Sequence, residues 1–221
     1  MSGRPSERID MSLLDFEALR RTPLKTAPYD YLVVPGFVPA DALARVIKDF
    51  PTIDSTGSLP LSELDVHGAF AALIDEMDGP EFRAAIEQKF SLDLGARPTM
   101  FTVRGRCHRA DGKIHTDTGT KIITVLLYLN QAWEADGGRL RILRSPKLDD
   151  TAEEVSPTGG TLLVFRRSDR SWHGHQPFEG ARRAIQMNWV TDASVVAYEQ
   201  RRHRFSAFMK RLNPFAARSA Y

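Results

Sequence analysis

Between residues 98 and 191 the chain has no room for a long helix. Short apolar and β-branched runs are cut again and again by glycine turns, among them Gly137-Gly138 and Gly159-Gly160. Such punctuation favours strands of a few residues joined by tight connections. Seven strands are predicted, over 99–105, 113–117, 121–129, 139–143, 161–166, 172–178 and 182–191. The stretch from Thr120 to Leu129 is long and rich in β-branched residues, as expected of a central strand buried on both faces. Seven short strands in sequence point to an antiparallel barrel or jelly roll.

The residues before this region follow a different period. Leu13, Leu14, Phe16 and Leu19 recur at helical spacing, predicting a helix near 12–21. Tyr31-Leu32-Val33-Val34 reads as a strand ended by Pro35-Gly36. Pro39 opens a helix whose Leu43, Val46, Ile47 and Phe50 form one stripe, and Pro51 ends it. Residues 52–63 read as loop, and two more helices are predicted near 66–77 and 80–91, split by Asp78-Gly79-Pro80. The fold class is therefore α+β with a mainly β core. Residues 1–97 form a helical support region integral to the fold, with a disordered tail over 1–11. Residues 98–191 form the β core, and 192–221 a basic helix and tail.

Composition narrows the function. The 221 residues suit a single domain, and a net charge of +2 does not mark a polyanion binder. The basic charge gathers at the end, where Arg201, Arg202, Arg204, Lys210, Arg211 and Arg218 face only Asp192 and Glu199. No nucleic-acid-binding motif accompanies that run. Cys107 is the single cysteine, so neither an intrachain disulfide nor a cysteine-built zinc site can form. No apolar run approaches the ~18 residues that span a bilayer, and the first residues lack the apolar core of a secretory signal. A soluble cytoplasmic protein is expected.

Within the β region, His115 and Asp117 lie two apart and project to the same side of an extended segment. The intervening turns can bring His173 back beside them. Two imidazoles and one carboxylate on one face of a metal, with the other face open, form the triad of non-haem Fe(II) oxygenases. Arg182 and Arg183 follow. Adjacent strand residues face opposite sides, so only one of them points inward. Arg183 is the expected inward one, gripping a carboxylate with two parallel hydrogen bonds, and Arg182 a surface residue. His175 would share the face of His173, as second shell or at the solvent edge. Arg104 and Arg106, with His108, border the substrate mouth or form an exposed basic edge.

These residues resemble those of the Fe(II)/2-oxoglutarate-dependent dioxygenases, in their prolyl-hydroxylase-like branch. The likeness rests on His115-x-Asp117, Tyr128-Leu129-Asn130-x-x-Trp133, Gly137-Gly138-x-Leu140, His173 with Pro177, and Arg183 six residues before Trp189. It covers 98–191, and loosely 28–51. It implies a double-stranded β-helix in which His115, Asp117 and His173 hold Fe(II) and act in catalysis. Arg183, with Tyr128 in part of the family, would bind the distal carboxylate of 2-oxoglutarate. O2 would be the other co-substrate and ascorbate a stimulant. The implied reaction hydroxylates an unactivated C–H bond and releases succinate and CO2. Halogenase relatives lack the carboxylate that Asp117 supplies. Prolyl hydroxylases often carry an aromatic where Thr102, Val103 and Arg104 stand here, which argues against a prolyl substrate. A protein side chain, an amino acid, a sugar-containing polymer or another small metabolite stays open, as does the oligomeric state. The competing readings are a non-catalytic barrel of the same fold that senses a metal or an anion, and a cupin-type metal enzyme that uses no 2-oxoglutarate.

Overall fold

The computed structural model describes residues 12–198. In chain order the elements are α1 (Phe16–Arg21), β1 (Tyr31–Val34), α2 (Ala40–Lys48), β2 (Leu59–Pro60), a 3₁₀ turn (Leu61–Glu63), α3 (Gly68–Asp78) and α4 (Pro80–Phe90). Then come β3 (Thr99–Cys107), β4 (Lys121–Tyr128), β5 (Leu140–Leu143), β6 (Thr151–Val155), β7 (Leu162–Arg166), β8 (His173–His175) and β9 (Gly180–Val190). The strands form a six-stranded sheet in the order β1-β7-β4-β9-β3-β2 and a three-stranded sheet in the order β6-β5-β8. Every strand pair is antiparallel. The helices pack on the outer face of the larger sheet, and the smaller sheet closes over its inner face. This is the expected double-stranded β-helix.

Side-chain alternation divides the larger sheet between two cores. Leu32, Val34, Ile123, Val125, Leu127, Leu162, Val164, Ile185, Met187 and Trp189 join Phe37, Phe70, Leu73, Phe82 and Ile86 in the sheet–helix core. The residues between them point the other way. Tyr31, Tyr128, Leu163, Phe165 and Ala184 meet Leu140, Ile142 and Val155 of the smaller sheet inside the barrel. Both faces are thus covered, which is why β4 and β7 read as continuous apolar runs.

Trp189 is fully buried and stacks on Phe82 of α4 with ring centroids 5.9 Å apart. Its indole N–H has no hydrogen-bond partner. Trp189→Ala is therefore expected to cost about 3–5 kcal/mol. Trp189→Phe should cost only about 1–2 kcal/mol, because ring volume rather than a polar contact is what the site uses. Urea unfolding of both variants measures the difference.

The four helices predicted before residue 98 form, with shifted ends. α1 starts at Phe16 because the Asp15 carboxylate caps it, accepting from the Ala18 amide at 2.8 Å. Two strands were missed. β2 interrupts the predicted loop, and β6, Thr-Ala-Glu-Glu-Val, is a sheet edge whose single buried side chain leaves no alternation to read. The predicted strand 113–117 is reduced to one bridge between His115 and His173, and 172–178 shortens to β8. The support region also supplies β1 and β2 to the larger sheet, so it is part of the barrel and not only helical. A helix is present from residue 193. The remainder of the predicted basic helix and the tail over 1–11 lie outside the described residues.

Candidate metal centre

His115 and His173 face each other as a hydrogen-bonded antiparallel pair. Each backbone N–H donates to the other's carbonyl, both at 3.0 Å. Directly opposed residues put their side chains on the same face, and the two imidazole centroids lie 4.4 Å apart. His173 is wedged against Phe165, with centroids 4.8 Å apart. Asp117 comes from the turn before β4 and is buried beside them. One ligand atom from each of His115, Asp117 and His173 lies within 4.8 Å of the other two, a set that can hold a metal ion.

The surrounding hydrogen bonds aim these donors. Nδ1 of His115 donates to the Lys113 carbonyl at 2.8 Å, and Nδ1 of His173 to the Ser171 carbonyl at 2.9 Å. Those bonds fix the tautomer and leave both Nε2 lone pairs for a metal. Asp117 Oδ2 accepts from the Thr124 hydroxyl at 2.5 Å, so Oδ1 is left toward His115 Nε2, 3.9 Å away. Lys121 Nζ sits 2.7 Å from the same Oδ1. The donor set and its supports suit a divalent ion that takes imidazole and carboxylate ligands.

Protonation is matched to that task. Burial pulls the Asp117 carboxyl upward, but the Lys121 ammonium, His173 and the hydrogen bonds from Lys121 and Thr124 outweigh it, and its pKa ends below the ordinary value. Burial lowers His173 to about 4, although the Asp117 carboxylate pulls it up. The folded imidazole thus stays neutral where the unfolded one, near 6.5, takes a proton. Between pH 6.5 and 4 the unfolded chain binds more protons, so falling pH destabilises the metal-free protein. The contribution is full above pH 6.5 and approaches a loss of about 3 kcal/mol near pH 4. Urea midpoints of the chelator-treated protein should fall over this window, and His173→Gln should flatten the fall.

Beneath the triad the structure overturns the strand phase expected at the two arginines. Arg182 is the inward residue. It is 6% exposed, its Nε donates to the Gly138 carbonyl at 2.8 Å, and its guanidinium lies 5.1 Å from the centre of the Tyr128 ring and 3.5 Å from the Tyr128 hydroxyl. Arg183 lies on the opposite face, with its guanidinium 5.6 Å from the Phe50 ring, while its backbone N–H donates to Asn130 Oδ1. The sequence carried the signal. Trp189, Met187 and Ile185 alternate toward the helices, and Arg183 continues their row. Arg182, Ala184, Gln186 and Asn188 form the other row, small or polar, toward the cavity. A bulge sets two β9 residues, Arg182 and Arg183, against Gly105 of β3. Residues 176–179 between β8 and β9 are not strand, so counting from His173 across the turn does not preserve phase.

A cavity of about 200 Å³ runs from the triad down to Tyr128 and Arg182, with Arg104 and His175 in its wall. Tyr128 is fully buried, and burial raises its hydroxyl pKa against the opposing pull of Arg182. His175 is buried under Gly112 and donates from Nδ1 to the Gln176 carbonyl at 2.8 Å. Burial, then Arg182, lowers its pKa. Arg104 is tied to Asp111 and Ser58. Arg106 is exposed and lines neither this cavity nor its neighbour, so the structure does not bring it to the site. A second cleft of about 290 Å³ opens from the other side of the triad along Thr102, Gln186 and Asn188. Sequence reading missed Lys121, Thr124, Gln186 and Asn188; of these, only the polar alternation of Gln186 and Asn188 on β9 was available to it.

Two opposed antiparallel sheets carry a two-histidine, one-carboxylate group at one mouth that could hold a single metal ion. The sequence model described as the 2OG-Fe(II) oxygenase superfamily matches residues 103–191. Over that stretch the chain is similar in sequence to the 2OG-Fe(II) oxygenase superfamily, whose name carries Fe(II) and 2-oxoglutarate. Its fold is similar to that of a Pseudomonas putida prolyl-4-hydroxylase, at 20% identity and TM-score 0.53 over 80% of this chain and 99% of that one. A prolyl 4-hydroxylase from Phytophthora capsici matches at 17% identity and TM-score 0.53, over 87% and 70%. HygX from Streptomyces hygroscopicus, a structure with iron bound, matches at 15% identity and TM-score 0.50, over 74% and 83%. No curated protein sequence matches. No helix among the described residues is long and apolar enough to cross a membrane.

Proposed function

We propose that this oxygenase hydroxylates an unactivated C–H bond of a small polar substrate. The observation that carries the reading is the juxtaposition of His115, Asp117 and His173 with a buried Arg182–Tyr128 pair at the floor of the same cavity. His115, Asp117 and His173 would hold Fe(II), which supplies O2 activation coupled to decarboxylation of 2-oxoglutarate to succinate and CO2. Arg182, not Arg183, would take the distal carboxylate of 2-oxoglutarate, and Tyr128 would donate its hydroxyl proton to the same group. A buried guanidinium needs an anionic partner, and among the described residues no carboxylate reaches Arg182, whose side-chain hydrogen bonds go to Gly138 and Tyr128. Leu126, Leu140 and Ala184 in the cavity wall would limit water around the bound acid. His175 and Arg104 would add positive or neutral donors beside it. The buried, unpaired Cys107 suits a reducing compartment such as the cytoplasm.

The test needs no substrate. Fe(II) followed by 2-oxoglutarate without oxygen should give a weak, saturable visible charge-transfer band. His173→Ala should abolish it and Arg182→Ala should weaken it. Metal binding without the band would favour a barrel that senses metals or anions. Admission of oxygen should then yield succinate.

A further inference from the structure

The second cleft is built differently from the first. Its lining is hydroxyl- and amide-rich, with Thr102, Thr118, Thr120, Gln186 and Asn188 against the apolar Met100, Val190 and Val195, and it contains no phenylalanine, tyrosine or tryptophan among the described residues. Its polar floor is fixed rather than free to turn. The Thr124 hydroxyl donates to Asp117, Asn188 Nδ2 donates to Thr124 at 2.9 Å, and Gln186 Nε2 donates to Asn188 Oδ1 at 3.1 Å. This chain of bonds uses both groups of Asn188 and leaves Gln186 Oε1 as an acceptor facing the cleft. A wall of this kind offers an apolar ring little to pack against and offers hydroxyl or amide groups a set of partners.

Lys121 supplies the charge. Its side chain is 16% exposed and lines both cavities, and its ammonium is bound to Asp117 Oδ1. That oxygen is also the one left to a metal, because Thr124 occupies Oδ2. A divalent ion at the triad draws the Asp117 charge to itself and repels the ammonium beside it. With the metal, Asp117, dianionic 2-oxoglutarate, Arg182 and Lys121 together, the site keeps about one net positive charge. Asp117 is the only acidic residue lining either cavity among the described residues. A poorly solvated ammonium in this position requires an anion from outside the protein.

From this we infer that Lys121 is a specificity-determining residue that binds a carboxylate or phosphate group of the substrate, whose hydroxyl or amide groups lie along Gln186, Asn188 and Thr102. The inference rests on the oxygenase reading. It names the substrate class as a small anionic polar molecule.

The protein is loaded with Mn(II) and saturating 2-oxoglutarate without oxygen. Matched probes are then added: N-acetylserine against N-acetylserinamide, and glycerol 3-phosphate against glycerol. Paramagnetic broadening of each probe's proton resonances reports binding beside the metal. At least one anionic probe should reach half-maximal broadening at a concentration at least tenfold below its neutral partner. The two arms tell a carboxylate site from a phosphate site. Lys121→Met and Lys121→Gln should remove the preference when compared at saturating Mn(II), with occupancy of each variant set by titration. Equal broadening by charged and neutral probes, no broadening by any anion, or an undiminished preference in both variants would each overturn the inference. Calorimetry of 2-oxoglutarate on the same samples separates the two readings. Loss of that binding defeats the oxygenase assignment, whereas intact binding without anion preference defeats only the role of Lys121.

Discussion

Asp117→Ala is expected to lower succinate formation by on the order of 10³-fold or more, since outer partners of metal ligands alone are worth about 10- to 100-fold. The loss has two parts. The metal site loses its single carboxylate, leaving His115 and His173 as a two-point attachment. The same substitution strips partners from Lys121 and from Thr124, which hold the two Asp117 oxygens. Asp117→Asn separates these parts, because the amide keeps the size and can accept from Thr124 while losing the charge. If both variants fold and both lose metal affinity, measured by Mn(II) titration, the carboxylate charge is what the site needs. An Asp117→Ala protein that still produced succinate at the wild-type rate would remove Asp117 from the metal centre.

The second large effect falls on Arg182. Arg182→Ala should weaken 2-oxoglutarate binding by about 2–5 kcal/mol, the usual cost of removing one partner of a buried hydrogen-bonded charge pair. That is roughly 30-fold to several-thousand-fold in Kd. Arg183→Ala should change the same Kd less than about threefold, because its guanidinium lies against Phe50 on the helix side of β9. It should instead cost about 0.5–1 kcal/mol of stability through the lost contact with that ring. Calorimetric titration of both variants, with Mn(II) in place of iron, measures the contrast. The reverse order would mean that β9 presents its other face to the cavity.

Sequence alone determined the material of this protein. The change from helical stripes to short strands near residue 98 follows from side-chain periodicity, and periodicity is a local property. His115-x-Asp117 and a later histidine were legible for the same reason, since each is a chemical type at a countable spacing. The architecture followed because apolar runs covered on both faces leave few ways to pack.

Tertiary structure decided which side chains meet. Which arginine faces the cavity depends on the turn over 176–179, which breaks the alternation begun at His173, and on how β9 then pairs with β4. Lys121 reads as one more charged residue at the start of a strand until folding brings it to the free oxygen of Asp117. The chain of bonds from Asp117 through Thr124 and Asn188 to Gln186 crosses from β4 to β9 and exists only because Thr124 and Asn188 are paired in register. Local sequence fixes which face a side chain can take within an unbroken strand. Pairing between distant strands fixes what stands opposite, and at this centre it brings His115 to His173 and shapes the cavity.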